Sequence, residues 1–181
     1  KVFLKILSYT FKFKSCIYYL NVRNNEEGPP IIDELYSKYE SIIYNDKMYV
    51  FGGMRGDNST RLQDVWLLDL SEESLQWDLV NTTGTAPSKR YEHSTIIHGN
   101  NLVVFGGNDG ANSYKNDIWY LDLSQTTPSW SSITTSGTQP VARSGHSMII
   151  YYNRIIIYGG YNGSYLNDIW ELDLNQSIPV W

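Results

Sequence analysis

The sequence predicts an all-β protein made of repeated four-stranded antiparallel sheets, and three periodicities predict it. Trp66, Trp119 and Trp170 are spaced by 53 and 51 residues, and Trp77, Trp130 and Trp181 by the same two intervals. The paired glycines Gly52-Gly53, Gly106-Gly107 and Gly159-Gly160 keep almost the same step, 54 and 53. A glycine-rich, aromatic period near fifty is the signature of a propeller blade rather than of a helical solenoid. At that period the 181 residues hold little more than three blades, so the expected fold is an incomplete β-propeller with a degenerate N-terminal stub.

Four units follow along the chain. Residues 1–37 form the stub: the segment Cys16-Ile17-Tyr18-Tyr19-Leu20-Asn21-Val22 parallels Asp117-Ile118-Trp119-Tyr120-Leu121-Asp122-Leu123 position for position, and is expected to be the third strand of a preceding, eroded blade. The alternation in Phe11-Lys12-Phe13-Lys14 suits a strand with one solvated face better than a membrane-surface arm. Residues 38–90 form the first full unit, 91–143 the second and 144–181 the third, which stops where its fourth strand should begin.

Within each unit the strands can be justified in turn. The second unit opens on an apolar stretch, Thr95-Ile96-Ile97, and continues with Leu102-Val103-Val104-Phe105 up to the Gly106-Gly107 pair. A polar loop leads to Ile118-Trp119-Tyr120-Leu121, and Trp130 starts a fourth strand. Asn, Gly, Ser and Thr punctuate these runs as turn signals. The second strands are continuously apolar, as strands are when both faces of their sheet are covered. The glycine pair ends that strand where a side chain would obstruct the turn or a neighbouring backbone. The six tryptophans read as core, and the Trp of the third strand is large enough to fill the widening gap between blades, contributing ~3–5 kcal/mol on the usual cost of truncation.

Composition narrows the function. Residues 1–23 carry five basic and no acidic side chains, net +5, and residues 24–181 carry nine basic and nineteen acidic, net -10. An acidic repeat body argues against a nucleic-acid binder, since phosphate contacts need clustered Lys and Arg. Cys16 is alone and cannot form an intrachain disulfide, which leans towards a cytoplasmic location. Apolar runs fall short of the ~20 residues of a membrane helix. Sequons at Asn58 and Asn162 would place glycans in the very loops expected to meet a ligand, which also favours the cytoplasm. The chain begins with Lys and ends at a repeat position, so a fragment of a longer protein is expected; the other reading is that copies associate to close the ring.

The doublet Gly-Gly, the Asn/Gln-Asp-Val/Ile-Trp segment, the Leu-Asp-Leu that follows and the second Trp together resemble the kelch-repeat family, over roughly residues 38–181. The subtype resembles repeats with Arg-x-x-His before the first strand, as in Arg90-Tyr91-Glu92-His93 and Arg143-Ser144-Gly145-His146; the first unit has Lys38-Tyr39-Glu40-Ser41 instead. The resemblance implies a non-catalytic protein-interaction module, of scaffold or substrate-adaptor type, that binds a protein or peptide partner. The implied face is made by the loops between second and third strands, at 54–63, 108–115 and 161–166, and by the loops between blades, at 81–89 and 134–142.

Candidate partner-binding residues on that face are Arg55, Asp57, Asn108, Asp109, Tyr114, Tyr161 and Asn162, with Asn112, Lys115 and Tyr165 beside them. Tyr offers rigid contact area and Asn adaptable hydrogen bonding. Arg90 and Arg143 have two readings: a grip on an acidic partner segment at the central channel, or a structural ion pair with an acid of the repeat. His93 and His146 share one phase and are expected to pack and hydrogen-bond rather than to bind metal, which needs converging ligands. The expectation is therefore no metal, no cofactor and no catalysis. The copper radical oxidases that share this propeller need a Cys-linked Tyr and two His, and Cys16 has no His near it in sequence. The alternative function is a fragment of such an oxidase whose active site lies outside this segment.

Overall fold

The structure is a computed structural model describing residues 39–54, 60–110 and 112–181. The stub at 1–37 with Cys16, Lys38 of the first unit, and the candidates Arg55 and Asp57 lie outside the described residues. The described chain is all-β and falls into three sheets that follow one another along the sequence.

The first blade is β1 (Glu40–Tyr44), β2 (Lys47–Met54), β3 (Arg61–Asp69) and β4 (Trp77–Leu79), joined in that order as an antiparallel sheet. Asn45 and Asp46 connect β1 to β2 with φ of 49° and 57°, the two left-handed residues of a type I′ hairpin turn, where Asn and Asp are tolerated. The second blade runs β6 (Ser94–His98), β7 (Asn101–Phe105), β8 (Ile118–Asp122) and β9 (Ser129–Ser132) in the same order. A two-residue strand, β5 (Thr83–Gly84), leaves the first blade and pairs in parallel with β9 of the second. The third blade is β10 (Ser147–Tyr151), β11 (Arg154–Tyr161) and β12 (Tyr165–Asp173). Val180 makes a single bridge to Asp173 where a fourth strand would start, and a parallel bridge to Ser136 that repeats the β5–β9 contact.

Each Leu-Asp-Leu ends a third strand for a local reason. Asp69, Asp122 and Asp173 accept hydrogen bonds from the backbone N–H two residues on, at Ser71, Ser124 and Asn175, each at 2.9 Å. That Asx turn diverts the chain out of the ladder. At the other end the glycine doublet makes a bulge: register slips between Phe51 and Gly53, and between Tyr158 and Gly160.

The core lies between blades. Tyr49, Phe51 and Val65 of the first sheet pack with Leu102, Val104, Leu121 and Trp130 of the second. Val103, Phe105 and Ile118, on the opposite face of the second sheet, pack with Met148, Ile155, Ile157 and Leu172 of the third. This explains why β7 is apolar at every position from Leu102 to Phe105: Leu102 and Val104 serve one interface, Val103 and Phe105 the other. β11 has an equally apolar sequence but alternates, with Ile155 and Ile157 buried and Tyr158 exposed. The first strands β1, β6 and β10 lie side by side, and Ser94 Oγ on β6 donates to the His146 carbonyl at 2.8 Å.

The tryptophans correct one expectation. Only Trp130 is fully buried, packed at 4.9 Å from the Phe51 ring, while the other five are half-buried at the edges of the clusters. Trp66, Trp119 and Trp170 stay at the margin because each indole N–H donates to the Asp two residues earlier: Asp64 at 2.8 Å, Asp117 at 2.7 Å and Asp168 at 2.6 Å. A polar ring edge with a fixed partner holds the ring in place without full burial. Among the described residues no helix is long and apolar enough to cross a membrane.

Candidate functional site

Arg90 and Arg143 are the most buried charged residues of the described chain, with no exposed surface. The ion-pair reading is the one the geometry shows. Arg90 donates from both terminal nitrogens to the two carboxylate oxygens of Asp117, at 2.7 and 2.8 Å, and also to the Gly106 carbonyl at 2.8 Å and the Ser88 carbonyl at 3.0 Å. Arg143 repeats this on Asp168, at 2.6 and 2.8 Å, on Gly159 at 2.9 Å and on the Val141 carbonyl at 3.0 Å. The planar fork matches a carboxylate in two places at once, which a lysine could not do. Its hydrogen bonds from Arg143 hold the Asp168 carboxyl down to about 2, and Asp117 is also lowered, by Arg90 against the opposing effect of burial.

The main chain of the same arginines belongs to the preceding blade. Arg90 N–H donates to Leu62 at 3.0 Å and its carbonyl accepts from Gly53 at 2.8 Å; Arg143 makes the equivalent bonds to Lys115 and Gly107, both at 2.9 Å. Each arginine therefore ties one blade by its backbone and the next by its side chain. Gly106 permits this approach: its φ is +64° and an added Cβ would lie 2.8 Å from the Arg143 carbonyl oxygen.

His93 and His146 sit at the same joints. His93 meets Phe51 and His146 meets Phe105 edge to face, both at 5.2 Å between ring centres. Packing is as expected, but neither ring nitrogen of either residue has a hydrogen-bond partner, which the sequence reading did not foresee. Burial with Arg90 and His146 nearby pushes His93 down to about 3, opposed only weakly by the Phe51 backbone, and burial with Arg143 pushes His146 to about 4. Both are neutral hydrophobic fillers at pH 7. No group of three or more His, Cys, Asp or Glu converges as a metal site among the described residues.

The described candidates outside this framework lie in and beside the loops after the second strands, at one end of the sheets. A cavity of about 630 Å³ opens there between the second and third blades, bordered by Tyr91, Glu92, Asn108, Tyr114, Ser144 and Tyr161. Asn108 is buried and shapes its loop: its side-chain oxygen accepts from Gly110 at 2.7 Å, and its backbone bridges Tyr91 and Tyr114. Tyr114, Tyr161 and Tyr165 form a chain of edge-to-face contacts, at 6.0 and 5.3 Å. Asp109 is occupied by Lys115 at 2.7 Å, and Asn162 turns its own loop by accepting from Ser164 at 3.4 Å.

Tyr91, Glu92 and Ser144 were not among the sequence candidates. Glu92 accepts from Ser144 Oγ at 3.0 Å, across the blade joint. One signal was available in the sequence: Glu92 stands in its repeat where Gly145 stands in the next, and both take left-handed φ, 54° and 63°.

The KLHDC2/KLHL20/DRC7 Kelch-repeats domain matches residues 14–181. The chain belongs to the kelch-repeat family. Among curated kelch relatives, the leucine-zipper-like transcriptional regulator 1 homolog of Drosophila melanogaster is 38% identical over 145 residues, covering 76% of this chain and 14% of its own length. Adagio protein 3 of Arabidopsis thaliana is 32% identical, covering 79% of this chain and 23% of its own length. Host cell factor 2 of Homo sapiens is 34% identical, covering 66% and 16%. This kelch chain thus spans less than a quarter of the length of these relatives. The solved structure of YjhT superposes with a TM-score of 0.55 at 22% identity, over 76% of this chain and 36% of that one, which supports the propeller fold.

Proposed function

We propose that this kelch domain is a non-catalytic protein-interaction module that takes a partner segment on the face formed by the loops between second and third strands and between blades. The observation that carries the reading is how the polar residues divide. Those that repeat from blade to blade, Arg90 and Arg143 with Asp117 and Asp168, satisfy one another inside the frame. Those that do not repeat, Glu92, Asn108 and Tyr161, border one cavity open to solvent, beside Tyr114 and Tyr165, which share one phase of the repeat. A rigid repeated frame with variable residues grouped on its loops is the arrangement in which binding is set by the loops.

The relatives support it from another side. A transcriptional regulator homolog, a flagellar dynein alpha chain and a Rho GTPase-activating protein share only this repeat region with the chain, between 3% and 14% of their lengths. A module common to proteins so differently named suits attachment to partners better than one reaction. Scaffold and substrate-adaptor roles both fit such a module.

A photo-crosslinking amino acid at Asn112, on the loop face, tests the reading against one at Gln125, in the turn beyond the opposite end of β8. Specific protein adducts from position 112, lost when Tyr114 and Tyr161 are changed to Ala, are the expected result. Adducts from position 125 alone would move the interaction surface to the other face and sink the proposal.

A further inference from the structure

We propose that the rings of Tyr114, Tyr161 and Tyr165, on the cavity between the second and third blades, form a platform for a proline-rich partner segment held as a polyproline II helix. This rests on the loop face being the interaction surface, and names the chemistry of what that surface takes. It departs from the acidic segment considered from the sequence, because Arg90 and Arg143 are buried on Asp117 and Asp168.

Four observations converge. The first is the ring ladder. Tyr114 meets Tyr161 at 77° with 6.0 Å between ring centres, and Tyr161 meets Tyr165 at 62° and 5.3 Å. Rings inclined so steeply cannot stack flat, and open angles are left between them. The ladder faces water: Tyr165 is 92% exposed and Tyr161 38%. Exposed aromatic surface grouped on a cavity marks a contact site. An aromatic face carries negative charge density, and a proline ring offers it a compact array of weakly positive C–H groups with almost no side-chain entropy to lose.

The second is the backbone beside the rings. Tyr161 exchanges both main-chain hydrogen bonds with Ser144, at 2.8 and 2.9 Å, and Asn108 exchanges both with Tyr91, at 2.9 and 3.0 Å. An incoming strand finds no row of unpaired N–H and C=O groups along these residues, so recognition falls to side-chain surfaces. A polyproline II segment needs no such row. It has no internal hydrogen bonds, keeps its backbone solvated, and its prolines have no N–H to leave unpaired. The third is spacing. Two residues of polyproline II rise ~6 Å, close to the 6.0 and 5.3 Å steps of the ladder, so about five residues span the three rings. The fourth is charge. Residues 24–181 carry nine basic and nineteen acidic side chains, net -10, a field that repels acidic segments and admits neutral or basic ones.

The test uses the intact protein, with octaproline and (Gly-Ser)4 as probes and the tyrosine ring NMR signals as readout. Octaproline is expected to shift Tyr114, Tyr161 and Tyr165 saturably, while (Gly-Ser)4 leaves them unmoved. Tyr165→Ala should weaken octaproline binding about five-fold or more, the scale of one aromatic contact, with Tm unchanged because that side chain lies outside the core. Tyr165→Phe should keep the binding, since the ring face and not the hydroxyl makes the contact. Equal shifts with both peptides, unchanged affinity in Tyr165→Ala, or a loss in Tyr165→Phe as large as in Tyr165→Ala overturns the proposal. Shifts with cellotetraose but not with octaproline would make the rings a sugar platform and overturn it too. Silence towards octaproline has the same effect; the interaction surface itself is then judged separately, by adducts from position 112.

Discussion

At the scale of single residues, the arginine–aspartate pairs decide more than any tryptophan. Arg143 is fully buried and its donors meet Asp168, Gly159 and Val141, while its own backbone bonds to Lys115 and Gly107 of the blade before. Replacing it with Met keeps the apolar stem but strands Asp168 and the Gly159 carbonyl without their donor. Breaking one side of a buried pair typically costs 3–5 kcal/mol; Asp168 keeps some contact with water and can rehydrate, so about 2–3 kcal/mol is expected for Arg143→Met. Urea denaturation should show this as a lower midpoint with an unchanged slope. A loss under about 0.5 kcal/mol would mean the pair contributes little beyond its own desolvation. Asp168→Asn should cost as much or more, because it leaves the guanidinium buried opposite a neutral amide. The sequence showed both partners but not their pairing, since 25 residues separate them and only the folded blade brings them together.

At the scale of elements, what was legible follows from locality. Apolar runs such as Leu102-Val103-Val104-Phe105 and the glycine pairs fix the second and third strands, because both signals lie within the strand itself. The short strand β5 had no such signal: Thr83 and Gly84 are exposed, and their role appears only where they meet Ser129 and Trp130 of the next blade. The half-burial of Trp119 was hidden likewise, since its place depends on a hydrogen bond to Asp117 and not on ring size. β5 is a strap in which Thr83 N–H donates to the Pro128 carbonyl at 2.9 Å and Gly84, at φ +75°, lies against the Trp130 carbonyl. An alanine at 84 must adopt a left-handed backbone, at ~1–2 kcal/mol, and collides with that carbonyl. Gly84→Ala is expected to speed hydrogen exchange at the Thr83 amide while leaving that of the Val104 amide, in β7, nearly unchanged. If both amides accelerate equally, the strap is part of the cooperative core and not a local clasp.

At the scale of the whole molecule, stability depends on joints between blades, and both described joints contain a neutral, buried histidine. His93 packs on Phe51 between the first and second blades, and His146 on Phe105 between the second and third. The ordinary histidine value, about 6.5, applies to the unfolded chain. The folded chain holds His93 near 3, by burial and then by Arg90 and His146, and His146 near 4, by burial and then by Arg143. Between those values the unfolded state binds protons that the folded state refuses, so stability rises with pH across that range. The contribution is complete above about pH 6.5 and is lost as pH falls towards 4 and then 3. By pH 5 each histidine favours unfolding by about 2 kcal/mol relative to pH 7.5. The depressed carboxyl of Asp168, at about 2, acts in the same direction but only below its ordinary value, so it leaves the range from 6.5 to 5 to the histidines. Acid should therefore weaken the joints well before carboxylates titrate. Urea midpoints measured from pH 7.5 to 5 should fall steadily, and His93→Phe with His146→Phe should flatten the profile while keeping the joints filled. A profile equally steep in the double variant would place the acid sensitivity elsewhere, and the joints would then be held by the arginine pairs alone.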